Sequence, residues 1–233
     1  MQSQKGKLFL IPAPLNENEE CLSEMQKKRI CLLQNFIVEN AKPARQALKK
    51  IGLKNSLQEL NIIENNKNCE FDYQYFFEKI HNGEDFGLLS DCGLPCIADP
   101  GSNIVAYCHQ NNIQVKSIAN TSSITTSLMC SGMNGQHFEF IGYLQIDKNK
   151  RKDQLQNFYK QVLDTKKTFI FIETPHRNQS TFEDIINTAP DKIKLCVAYD
   201  ISGPQEKIKM KSIAEWKKDK LQLSKNPCIF LIN

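Results

Sequence analysis

No apolar run in this 233-residue chain approaches the roughly 20 residues needed to cross a bilayer, so no membrane partner is expected. The first seven residues, Met1 to Lys7, are polar and lack the apolar centre of a secretory signal, which points to a cytoplasmic protein. Neither GxGxxG nor GxxxxGK[ST] occurs, so the usual glycine cradles for dinucleotides and triphosphates are missing. Nine cysteines are present, but the count is odd and they form no CxxC pair or Cys/His cluster. That pattern suggests neither a disulfide framework nor a metal site, and the cysteines read as reduced small hydrophobes. At 40% hydrophobic and 24% charged the chain is too apolar for disorder, and the formal net charge of +4 permits an anionic partner without requiring one.

Short β-branched and aromatic runs alternate with segments of helical period, the pattern of α/β architecture. Strands are predicted at Leu8–Ile11, Phe36–Val38, Gly87–Ser90, Gln114–Ile118, Phe138–Ile141, Thr168–Ile172, Leu195–Tyr199, Glu206–Met210 and Cys228–Ile232. Apolar stripes spaced 0, 3, 4, 7 at Ala44, Ala47, Leu48, Ile51 and at Tyr73, Phe76, Phe77, Ile80 predict helices. So do Leu155, Phe158, Tyr159, Val162, Leu163 and Phe182, Ile185, Ile186. The Asn-rich stretch Asn61 to Asn68 reads as a loop. Gly203-Pro204 separates two strands with no room for a helix, which predicts a hairpin and hence a mixed sheet in the second half. The expected fold is two α/β domains, residues 1–117 with a mostly parallel sheet and 118–233 with a mixed one, and a cofactor cleft between them.

The densest signal is Gly87-Leu-Leu-Ser-Asp91-Cys-Gly93-Leu-Pro95-Cys-Ile-Ala-Asp99-Pro100-Gly101. An apolar strand ends at Ser90 and an acid follows at its carboxyl end, where open α/β sheets bind ligands. Gly93 and Pro95 allow a tight loop with close backbone approach. Asp99-Pro100 reads as an N-cap and first helical residue. With phosphate cradles missing, a nucleoside without phosphates is the better candidate ligand.

Ser90-Asp91-Cys92-Gly93-Leu94-Pro95 with Ile97-Ala98-Asp99-Pro100-Gly101 resembles the SDxGxPxIxDPG signature of the tetrapyrrole methylase superfamily, and within it the branch that methylates small-subunit ribosomal RNA. Three further segments fall in the same order: Leu8-Phe-Leu-Ile-Pro12-Ala-Pro14, Phe36-Ile-Val-Glu39-Asn40 and Phe171-Ile-Glu173-Thr174-Pro175-His176-Arg177. The likeness covers nearly the whole chain. It implies S-adenosyl-L-methionine as cofactor, contacted by Pro12, Asp91, Gly93, Leu94, Ser122, Ser123, Glu173 and Ile201, and a homodimer. The chain departs from the pattern at Leu15-Asn16 and Ala119-Asn120, where glycines are usual, and at Asn40, where an acid is usual. Asparagine tolerates the left-handed backbone that glycine would supply.

Methyl transfer from a sulfonium is an in-line displacement that needs no protein nucleophile. A ribose 2′-hydroxyl, the acceptor the resemblance implies, gains from a positioned proton acceptor, and Glu39 at the tip of its strand is the candidate. Lys42, Arg45 and Arg177 are candidate phosphate contacts, with Arg177 alternatively pairing with Glu173 or Asp184. Lys207, Lys209 and Lys211 share one strand face and read as edge protection. Two other functions fit the resemblance: methylation of a tetrapyrrole or other small molecule, and cofactor binding without transfer.

Overall fold

A computed structural model describes residues 5–16, 22–53, 59–67 and 70–233, in two compact units, Met1–Thr121 and Ser122–Asn233. Cys21 and Cys69 lie outside the described residues.

The first unit runs β1 (Lys7–Ile11), α1 (Glu24–Ile30), β2 (Asn35–Val38), α2 (Ala41–Ile51), β3 (Asn61–Glu64), α3 (Tyr73–His81), β4 (Phe86–Leu89), α4 (Ser102–Gln110) and β5 (Gln114–Ser117). Its five strands are all parallel, in the order β3-β2-β4-β1-β5. Alternate residues of each central strand feed two separate cores. Phe9, Ile11, Phe36 and Val38 meet Ile30 of α1 and Ala44, Leu48 and Ile51 of α2. Leu8, Ile37, Phe86 and Leu88 meet Phe76 and Ile80 of α3 and Ile104 and Cys108 of α4. Parallel crossovers are right-handed, so two crossovers leading toward β3 and two leading toward β5 place their helices on opposite faces. Both faces of the sheet are therefore covered, and its central strands are apolar throughout.

The second unit runs α5 (Ser123–Ser131), β6 (Phe138–Tyr143), α6 (Lys148–Thr165), β7 (Thr168–Glu173), a 3₁₀ turn (Pro175–Arg177), α7 (Asn178–Thr188), β8 (Lys194–Tyr199), β9 (Lys207–Ser212), α8 (Ile213–Trp216) and β10 (Cys228–Ile232). Its sheet is mixed, in the order β6-β7-β10-β8-β9, with β6 parallel to β7 and the other pairs antiparallel. The predicted hairpin is β8–β9, with Tyr199 opposite Lys207. Phe158, Phe169, Phe171, Phe182, Trp216 and Phe230 fill one core, and Trp216 donates its indole N–H to the Leu195 carbonyl at 2.8 Å. Arg151, almost wholly buried, forks onto Asp184 and also donates to the carbonyls of Gln145 and Ile146.

Two local expectations are corrected. Residues 61–64 form edge strand β3 rather than loop: Asn61 is satisfied sideways by Asn35 Oδ1 and Tyr75 Oη, which frees the Ile62-Ile63 pair to extend beside β2. The helix expected from Pro100 begins at Ser102 with Gly101 as its N-cap, because Gly101 sits at φ +125° and breaks the helical path after Pro100. Helix α1 lacks a long apolar stripe, and its local signal is the Ser23/Gln26 capping box, both halves of which are formed.

Side chains of both neighbouring strands approach the backbone closely at Gly87 of β4. A Cβ there would stand 2.6 Å from Ile11 Cδ1 and 2.9 Å from Phe36 Cδ1. Gly87→Ala is expected to lower unfolding free energy by about 1–3 kcal/mol through overpacking. Urea unfolding checks this as a fall in midpoint at unchanged slope.

Candidate functional site

Neighbouring strands β1 and β4 send their connections to opposite faces, which leaves a crevice at their carboxyl ends, the general ligand position in open α/β sheets. The loops that follow them are tied together across that crevice. Ala13 N–H donates to the Gly93 carbonyl at 2.8 Å, and Gly93 N–H returns to the Ala13 carbonyl at 3.1 Å. Pro12, expected at the cofactor, is buried directly before this clasp, and Leu94 is half-buried directly after it.

From Gly93 to Gly101 the chain turns back on itself through four positive φ angles: Gly93 (+72°), Cys96 (+69°), Ala98 (+64°) and Gly101 (+125°). Two of these are not glycine, and left-handed backbone at ordinary residues costs of order 1 kcal/mol or more each. Such strain clusters where a loop is shaped for a ligand. Gly101 is doubly required, since a Cβ would lie 2.8 Å from Leu88 Cδ2.

The loop carries Asp91 and Asp99 to the tip of β2, where Glu39 and Asn40 stand. Asn40 Nδ2 donates to Asp91 Oδ2 at 2.7 Å, so the amide that replaces an acid at this position holds Asp91 in place. Asp99 is the member whose sequence context predicts only a helix cap. Its carboxyl is pushed up to about 6, chiefly by burial and then by the negative charges of Glu39 and Asp91, while a hydrogen bond from Ser90 works the other way. The signal available in the sequence is a second acid eight residues beyond the first, with Gly93 and Pro95 between them to fold it back. Glu39 gives its backbone carbonyl to Asn66 Nδ2 at 2.9 Å and sits half-buried at the strand tip. Helix α2 starts at once after Asn40, its first N–H taken by Glu64 Oε1 at 2.7 Å, and exposes Lys42 and Arg45.

In the second unit, Ser122 is the N-cap of α5 and uses its backbone carbonyl, not its hydroxyl, to accept from Thr126 N–H. Ser123 opens that helix. Glu173 ends β7 with its carboxylate wholly buried. Oε1 accepts from Thr174 N–H at 2.7 Å and from Arg177 Nε at 2.8 Å and Nη2 at 2.6 Å, and Oε2 accepts from Thr181 Oγ1 at 2.9 Å. Glu173 and Arg177 thus hold each other, and any ligand contact by either shares this pair. Ile201 is buried in the β8–β9 turn, between Asp200 and Ser202, both at positive φ.

Among the described residues no group of three or more His, Cys, Asp or Glu is placed to hold a metal ion, and no helix is long and apolar enough to cross a membrane. Cys108 and Cys196 are buried, and desolvation pushes both thiols up to about 12, so they act as small hydrophobes. Cys92 and Cys130 are exposed instead, which departs from the uniform reading of the cysteines.

Asp99 keeps its proton up to about pH 6 when folded, whereas the unfolded chain releases it near pH 4. The unfolded state therefore binds fewer protons across that window, and stability falls as pH rises through it. Asp99→Asn removes this dependence. Its melting temperature relative to the parent is expected to be higher at about pH 8 than at about pH 4, by thermal unfolding at the two values; equal differences would contradict the assignment.

The chain is similar to known proteins both in sequence and in fold. Ribosomal RNA small subunit methyltransferase I of Buchnera aphidicola subsp. Schizaphis graminum is 29% identical over 238 aligned residues, covering 99% of this chain and 79% of that protein. The protein of the same name from Thermotoga maritima is 27% identical, covering 80% of each. Among solved structures, the methyltransferase CobJ superposes with a TM-score of 0.60 at 12% identity, covering 98% of this chain and 94% of that one. Uroporphyrin-III C-methyl transferase from Thermus thermophilus, complexed with S-adenyl homocysteine, superposes at 0.57 with 12% identity over 98% and 97%. The family model described as Tetrapyrrole (Corrin/Porphyrin) Methylases matches residues 18–216, and the chain belongs to that family.

Proposed function

We propose that this protein is an S-adenosylmethionine-dependent methyltransferase acting on RNA, with a ribose hydroxyl of small-subunit ribosomal RNA as acceptor. The observation that carries the cofactor is the acidic strand-tip site: Glu39, Asp91 and Asp99 converge on a clasped, strained loop. Such a site repels phosphate. It suits a cationic adenosyl ligand, whose ribose hydroxyls donate to carboxylates and whose positive charge lowers the cost of keeping three acids together. Family membership and the names of the relatives support methyl transfer and the RNA substrate.

S-adenosylmethionine, when bound, supplies the methyl group together with its own leaving group. The chain's residues do the rest. Asp91, fixed by Asn40, is the group to accept from the cofactor's ribose or amino-acid end, with Pro12, Gly93 and Leu94 forming the wall beside it. Ser122, Ser123, Glu173 and Ile201 are further candidate cofactor contacts that the family resemblance implies. Glu39 accepts the proton of the attacking hydroxyl, a contribution of about 10²–10⁴-fold for general bases. Lys42 and Arg45 are exposed on α2 within two turns of Glu39, where they can hold phosphates of the acceptor strand. A cytoplasmic homodimer completes the reading, and light scattering tests the dimer.

Calorimetry is expected to show binding of S-adenosylmethionine and S-adenosylhomocysteine, weakened by Asp91→Asn; absence of both would sink the proposal. Transfer of labelled methyl to small ribosomal subunits is expected to fall roughly 10²-fold or more in Glu39→Gln while cofactor binding persists. Mass mapping of ribosomal RNA from cells with and without the gene identifies the acceptor, and an unchanged RNA redirects the substrate to a small molecule.

A further inference from the structure

Helices α1 and α2 cover the same face of the first sheet, packed on one shared core. Together they carry seven cations, Lys27, Lys28, Arg29, Lys42, Arg45, Lys49 and Lys50, and one acid, Glu24. That excess is larger than the formal net charge of +4 on the whole chain. The opposite face is different: α3 and α4 carry one lysine, one glutamate and two histidines. The asymmetry is a property of one face rather than of overall composition.

Helix stability accounts for only part of it. Ala44, Leu48 and Ile51 point α2 at the core, which sets Lys42, Arg45 and Lys49 in a line on its solvent side. Like charges three and four residues apart destabilise a helix by a few tenths of a kcal/mol per pair. The cations near the helix C-termini are favoured by the dipole, but Lys42 lies in the first turn, where the dipole opposes it. On α1, Lys28 and Arg29 are exposed, flanked by Met25 and Leu32, each more than three-quarters exposed. The line on α2 spans about 10 Å and starts beside Asn40, the residue that holds Asp91.

From this arrangement we infer that the α1–α2 face is the surface on which the RNA acceptor docks, its phosphates tracked by Lys28, Arg29, Lys42, Arg45 and Lys49 toward the tip of β2. Phosphate contacts of this kind fix register without reading sequence, and the repelling acids at the strand tips leave the sugar, not the phosphate, to enter. The inference rests on the RNA reading above and adds the surface that serves it.

The test compares the full chain with a variant carrying Lys28→Gln, Arg29→Gln, Lys42→Gln, Arg45→Gln and Lys49→Gln, and with a control carrying Lys148→Gln, Lys150→Gln and Lys152→Gln on α6. Binding to a single-stranded RNA oligonucleotide and to purified small ribosomal subunits is followed between about 50 and 200 mM salt. The α1–α2 variant is expected to bind more weakly, with a salt slope shallower by about 0.7 for each phosphate that is no longer neutralised, while the control keeps the parent slope. Calorimetry with S-adenosylmethionine is expected to give the same affinity in all three, which shows that the fold is intact. A parent slope retained in the α1–α2 variant, or an equal weakening in both variants, overturns the docking surface and leaves the RNA reading standing. A parent protein with no salt-dependent binding to either probe overturns both.

Discussion

The handedness of parallel crossovers governs this molecule's chemistry. With strand order β3-β2-β4-β1-β5, right-handed connections must place α1 and α2 on one face and α3 and α4 on the other. That divergence opens the sheet at the carboxyl ends of β1 and β4, and every candidate cofactor residue of the first unit stands within a few positions of those ends. Were α4 on the same face as α1, the loop from Asp91 to Gly101 would have no crevice to line.

Within the crevice, two effects oppose each other. Converging carboxylates and left-handed residues both raise the energy of the site, and the clasp between Ala13 and Gly93 and the Asn40–Asp91 bond hold it together regardless. Asp99, desolvated by burial and then crowded by Glu39 and Asp91, retains its proton to about pH 6. A positively charged nucleoside relieves the same crowding by neutralisation. The polarity of the site and the strain of its loop thus favour one class of occupant, and they do so without a glycine cradle for phosphate.

Much of the fold was legible from periodicity, because the core-facing stripes of α2, α3, α6 and α7 and the apolar runs of the central strands are each long enough to declare their period. The edge strand β3 was not, although the other edge strands β5, β6 and β9 were. β3 is four residues long and contains only Ile62 and Ile63 as apolar residues, so its strand character comes from pairing with β2 and from the side-chain bonds of Asn61. The acid at Asp91 was readable from its place after a strand. Asp99 was not, since an acid before a proline has a ready local explanation as a cap, and only the positive φ of Gly101 shows that no helix begins there. Glu173 and Arg177 were visible as site candidates, and their mutual pairing was one of the alternatives their spacing allowed.

The β8–β9 hairpin places Lys207, Lys209 and Lys211 along the outermost rung of the second sheet, with Lys209 and Lys211 both leaning on Asp219. Because a side chain repeats on the same face at every second residue, any foreign strand seeking the open backbone groups of β9 would have to settle beside three ammonium groups at once. Charge of this kind disfavours further strand pairing at that margin, although Lys209 and Lys211 share the carboxylate of Asp219.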